Sequence, residues 1–156
     1  MIEIIRLEET DNPIFQQICQ WNYHWWGVRD GKTMEEVCYN LAHSLQHQRL
    51  PQTFVALWNG APAGMNQLAI FDDLDSRPDL YPWMINVYVA EAYRGKGICR
   101  AMMETVPEYA KQANLSELYL YTKHNGLYEK FGWEFVEEVP TFRADSPVER
   151  LYRLKV

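Results

Sequence analysis

The sequence predicts a single mixed α/β domain of about six to seven strands and about four helices. Three observations lead there. Strand-like and helix-like apolar patterns alternate along the 156 residues instead of segregating. Asn59-Gly60 lies between two strand-like runs, and that pair suits the positive φ angles of a tight hairpin turn. A later apolar run breaks into glycines and opens a helix, an arrangement that can present backbone N–H groups to a ligand.

In chain order, Ile2 to Arg6 forms a first strand. Pro13 to His24 is helical, with Ile14, Ile18 and Trp21 at helical spacing. Met34 to His47 makes a second helix. Thr33 caps it, Glu36 completes a capping box, and Val37, Leu41 and Leu45 form its apolar stripe. Thr53–Trp58 and Ala61–Ile70 are the hairpin strands, with Pro62 and Gly64 weakening the start of the second. Asp72 to Pro82 is acidic and proline-bearing and predicts a loop.

Trp83–Val89 reads as a buried strand. A helix opens near Gly97 with Ile98, Met102, Val106, Tyr109 and Ala113 on one face, and Asn114 closes it. Pro107 conflicts with that helix, because it removes a hydrogen bond and predicts a kink. Leu118–Tyr121 is another buried strand, and Leu127–Phe131 a short helix. Strands near Trp133–Glu138 and Val148–Lys155 end the chain.

Composition narrows the function classes. Apolar residues make up 47%, enough for one core and too many for a disordered chain. A net charge of -6 argues against nucleic-acid binding, which needs a basic face, and is compatible with a cationic partner. Cys19, Cys38 and Cys99 are odd in number and contain no CxxC pair. No disulfide framework or metal site is expected, and a cytoplasmic setting fits best. Met1–Arg6 lacks the basic start and apolar run of a signal peptide, and no run approaches a membrane span.

The most informative segment is Arg94-Gly95-Lys96-Gly97-Ile98-Cys99-Arg100, between strand and helix. A helix start offers unpaired N–H groups and partial positive charge, glycines allow close approach, and three cations stand nearby. Together these suit a pyrophosphate. The GxxxxGK[ST] loop is absent, and a GxGxxG fingerprint starting at Gly95 fails at Arg100. The same residues also suit a glycine turn with solvated charges.

Val87-Tyr88-Val89-Ala90-Glu91-Ala92-Tyr93-Arg94-Gly95-Lys96-Gly97-Ile98-Cys99-Arg100-Ala101-Met102-Met103 resembles motif A of the GNAT superfamily of N-acetyltransferases. Arg94, Gly97 and Cys99 occupy its defined positions, with Cys99 in place of the usual Gly or Ala. Leu118 to Phe135 resembles motif B, and Tyr128-Glu129-Lys130-Phe131-Gly132-Trp133 matches its Y-x-K-x-G-[FW] pattern. The chain departs upstream, where Asn125 and Tyr128 are only three apart.

The resemblance implies a GNAT-like fold: a central twisted mixed sheet with a splay between the two motif strands. It implies acetyl-CoA as co-substrate, with its pyrophosphate held from Arg94 through Gly95, Lys96, Gly97 and Cys99 to Arg100. Val87 and Val89 would pair with the pantetheine arm, Asn125 would lie near the coenzyme, and Tyr128 would protonate the leaving thiolate. The acceptor would be a small-molecule or peptide amine, and a homodimer is compatible.

The remaining candidates come from the residues themselves. Asp72, Asp73 and Asp75, with Trp83 close by, could attract an amine or supply a base, and also suit a solvated acidic loop. Trp26, with Trp21, Tyr23 and Trp25, could wall a substrate pocket or belong to a core. His43 and His47 have helical ligand spacing but no further ligand in view. Two other functions remain open: a non-catalytic acyl-CoA sensor on the same fold, and an interaction module that uses exposed aromatics.

Overall fold

The computed structural model describes residues 1–156. Seven strands form one sheet: β1 (Ile2–Leu7), β2 (Gln52–Trp58), β3 (Ala61–Ala69), β4 (Trp83–Val89), β5 (Glu117–Thr122), β6 (Glu134–Pro140) and β7 (Val148–Lys155). Their order is β1-β2-β3-β4-β5-β7-β6, and only the β4–β5 pair is parallel. Three α-helices accompany it: α1 (Pro13–Asn22), α2 (Met34–Ala42) and α3 (Ile98–Gln112).

The sequence predicts four helices. The fourth, at Tyr128–Phe131, is a single 3-10 turn. The first ends at Asn22 and continues as a π-helical turn, Tyr23–Gly27. The second stops at Ala42, five residues early, because His43 leaves helical geometry at ψ 2°. Leu45 still reaches the core from the following segment. The Thr33–Glu36 capping box forms, with Glu36 N–H donating to Thr33 Oγ1 at 3.1 Å.

Helix α3 covers one sheet face. Ile98, Met102, Met103, Val106 and Ala110 are buried there against Phe54, Ala56, Met84 and Leu118. The helix runs through Pro107, since burial of this face holds a helix that propensity alone would interrupt. Asn114 adopts φ 60° just beyond its end. Gly64 permits the close crossing: a Cβ there would meet the Tyr88 carbonyl at 2.8 Å and Ile98 at 3.1 Å. Helices α1 and α2 cover the other face through Phe15, Ile18, Leu41, Val55 and Met65. No helix is long and apolar enough to cross a membrane.

The sheet splits at its centre. Strands β4 and β5 pair only at Trp83 and Tyr119, near their starts, and then diverge. A register shift between β3 and β4 puts a bulge at Asn86, which adopts φ 53°.

Candidate functional site

The divergence of β4 from β5 opens a cleft of about 600 Å³. Its walls include Met84, Asn86 and Val87 of β4, Leu120 and Tyr121 of β5, and Tyr128. Just past β4, the Ala90 N–H donates to the Ala63 carbonyl at 2.9 Å, and on the strand Val89 pairs with Gly64. Antiparallel alternation therefore turns the N–H and C=O of Val89 away from β3, toward the free edge. The Val89 carbonyl accepts from Arg94 Nε at 3.1 Å, which ties the loop back to the strand.

Beside the cleft, the loop enters α3 through Gly95 (φ 78°) and Gly97 (φ 83°). Both conformations strain any residue with a Cβ. Nothing lies within 4 Å of the position a Cβ would take on Gly95. The N–H groups of Gly95, Lys96, Gly97, Ile98, Cys99 and Arg100 find no backbone acceptor; the first donor into the helix is Ala101, to Gly97 at 3.0 Å. A run of free N–H groups at a helix start is the kind of arrangement that can receive an anion. Lys96 lies over the Trp58 ring at 5.3 Å and Arg100 over Phe131 at 5.5 Å, so both cations stay beside it.

Tyr128 is 6% exposed and lines the cleft, packed between Trp133 and Tyr152. Burial, reinforced by Cys99, holds its phenol protonated far above the ordinary range. Burial also raises the Cys99 thiol, the opposite of what a thiolate nucleophile needs.

The other end of the cleft is carried by side chains. The π-helical turn places Trp25 and Trp26 against Tyr88, with ring centroids at 5.5 and 6.5 Å. Asp72 and Asp73 face them across the opening. Burial, then repulsion from Asp73, pushes the Asp72 carboxyl up to about 7. Burial acts on Asp73 too, but the Tyr121 hydroxyl donates to it and Arg143 Nη2 lies 3.5 Å away, so its carboxyl falls below the usual range. Arg143 also reaches the buried Glu149 at 3.7 Å.

The structure therefore brings together Val87, Tyr128, Trp26, Asp72 and Asp73 around one cleft. Trp25 lines it too, but Trp83 and Asp75 do not. Trp83 is 1% exposed, packs with Leu74, Tyr119 and Leu151, and donates its Nε1–H to the Leu80 carbonyl; it is a core residue, not a cleft wall. Asp75 is exposed outside the cleft. Asn125 is exposed in the turn after β5 and does not line the cleft. The short spacing to Tyr128 leaves no helix to carry it inward.

Sequence reasoning missed Asn86, Arg143 and Glu149. An Asn inside an apolar strand was the one available signal, since Asn tolerates left-handed backbone. Arg143 lies between the last two strands and carries no motif.

A seven-stranded mixed sheet split at its centre, beside a helix that opens from a glycine loop, is the architecture of an acyltransferase-type α/β fold. A model of the acetyltransferase (GNAT) family matches residues 7–133, and the chain belongs to that family. Solved structures agree on the fold. A GNAT family acetyltransferase from Elizabethkingia anophelis with acetyl-CoA bound is 17% identical, with TM-score 0.69, covering 99% of this chain and 98% of that one. A GNAT family acetyltransferase from Streptococcus pneumoniae is 16% identical, with TM-score 0.70 and 100% of both chains covered. The ribosomal-protein-S18-alanine N-acetyltransferase from Escherichia coli is 17% identical, with TM-score 0.65, covering 100% of this chain and 94% of that one. No curated protein matches the chain in sequence.

Proposed function

We propose that this chain transfers the acetyl group of acetyl-CoA to a primary amine by direct attack on the thioester. The observation that carries this reading is the set of groups in and beside one cleft. The buried, protonated Tyr128 phenol and the near-neutral Asp72 carboxyl both line it, and the free N–H groups open α3 next to the turn that carries Tyr128, where Arg100 lies over Phe131.

The residues from Arg94 to Arg100 bind the pyrophosphate through their N–H groups, with Arg94, Lys96 and Arg100 adding positive charge. The glycine conformations and the open space at Gly95 fit such a group. Val87 and Val89 offer backbone to the pantetheine arm. The N–H groups at the β4 bulge stabilise charge that develops on the carbonyl oxygen. Asp72 accepts the proton of the incoming ammonium, which must be neutral to attack, and a carboxyl near 7 is matched to that task. As the C–N bond forms and the C–S bond breaks, Tyr128 donates a proton to the departing sulfur, the second proton of the attacking nitrogen passes to solvent, and Tyr128 regains its proton from solvent.

The test is release of free thiol from acetyl-CoA with a panel of primary amines. Saturable release that depends on the amine is expected. An acyl-CoA sensor would bind acetyl-CoA and release no thiol with any amine.

A further inference from the structure

A second cavity, of about 210 Å³, lies between the π-helical turn, α2 and the face of β3 and β4. It shares Trp26, Asp30, Ile85 and Asn86 with the cleft, so the two spaces adjoin at the β4 bulge. Its lining mixes neutral polar side chains with the apolar Trp26, Val37, Leu41 and Ile85. The Gln67 amide is already committed: its Nε2 donates to Thr53 Oγ1 at 2.9 Å, and its Oε1 accepts from Asn86 Nδ2 at 2.6 Å. Asn22 differs. It is 8% exposed, lines this cavity at the end of α1, and its Oδ1 is buried without a hydrogen-bond partner. A buried polar atom left unpaired costs ~1–3 kcal/mol, so native structures leave few of them without a water or ligand.

We propose that this cavity is the subsite for the far end of the acceptor, and that it takes a neutral group that both donates and accepts hydrogen bonds. The acceptor is then an amine bearing a hydroxyl or a carboxamide a few atoms from its nitrogen. This inference rests on the transfer reaction proposed above and narrows its acceptor.

Charge and satisfaction decide the class. Asp30 and Lys32, of opposite sign, both line the cavity, so its wall favours neither an ammonium nor a carboxylate tail. An apolar tail leaves Asn22 unpaired. A hydroxyl or carboxamide satisfies the Asn22 side chain whichever way its amide is turned.

Four short amines test this: β-alaninamide, propanolamine, the near-isosteric isopentylamine, and trimethylenediamine. The first two should show kcat/KM about tenfold or more above the last two. Asn22→Leu should bring the four to within about threefold of one another and leave acetyl-CoA affinity within about twofold. Asn22→Asp keeps the shape and should turn the preference toward the diamine. A readout that needs no turnover is calorimetry of N-acetyl-β-alaninamide and N-isopentylacetamide on the protein–CoA complex. The amide product should bind tighter in the wild type and lose its advantage in Asn22→Leu. Turnover with equal efficiency for all four amines would overturn the subsite and leave the reaction standing. Preferential binding of the amide product without turnover of any amine would keep the subsite and overturn the reaction.

Discussion

The two sides of the proposed site offer different kinds of group to a ligand. Beside α3, they are backbone N–H groups from consecutive residues, held by two glycines in left-handed geometry. At the far end they are side chains from separated segments: Trp25 and Trp26, Asp72 and Asp73, Asn86, Tyr121, Arg143 and Glu149. A backbone site tolerates change in most of its side chains, because its donors belong to every residue. A side-chain site changes with each substitution. The first arrangement suits a ligand common to a family, and the second a ligand particular to one member.

The sharpest break in that comparison is at Tyr128, where the two ends meet. Tyr128→Phe keeps the ring between Trp133 and Tyr152 and deletes the acid. Steady-state kinetics should show kcat lower by ~10²–10⁴-fold, with acetyl-CoA affinity nearly unchanged.

Asp72→Asn addresses the acceptor end, with an expected fall in kcat/KM of about 10²-fold at neutral pH. The wild-type profile should rise with pH through about 7 as the Asp72 carboxyl ionises, and the variant should lose that limb. Stability should move the other way. A carboxyl raised in the folded state favours folding below its unfolded value, and that advantage is lost as pH rises through about 7. Asp72→Asn should therefore melt higher than wild type at alkaline pH and match it in acid. A variant slower and no more stable would mean that Asp72 carries no such burden.

Gly97→Asp addresses the backbone end. The residue has φ 83°, and the new carboxylate would face the anion. Calorimetry should show acetyl-CoA binding weaker by at least about tenfold, ~1.4 kcal/mol. The smallest expected effect is at Asn125. It is exposed and outside the cleft, so Asn125→Ala should change neither kcat nor acetyl-CoA affinity by more than about twofold.

How legible each part was in the sequence follows the same division. The loop could be read because its parts are adjacent: strand, glycines, cations and helix start within a few residues. The bounds of β4 and β7 were legible for a related reason, since continuous apolar or alternating runs carry their own period. Trp83 misled because proximity in sequence to an acidic loop does not fix the face on which a strand residue lands. It points into the small core with Tyr119 and Leu151. Arg143 and Glu149 were invisible because the ion pairs from Asp73 to Arg143 and from Arg143 to Glu149 exist only once β7 lies beside β5. The end of α2 at Ala42 was misjudged because Leu45 continues the apolar spacing while the chain has already left the helix.

The central claim is that both ends serve one direct transfer. The most direct measurement is the ratio of N-acetylated amine to free CoA thiol over many turnovers, with intact-mass analysis of the protein during the reaction. The account predicts equal amounts of the two products, no thiol without amine, and no acetylated protein. Thiol released in excess of N-acetyl product, or an acetyl group accumulating on the protein, would contradict it.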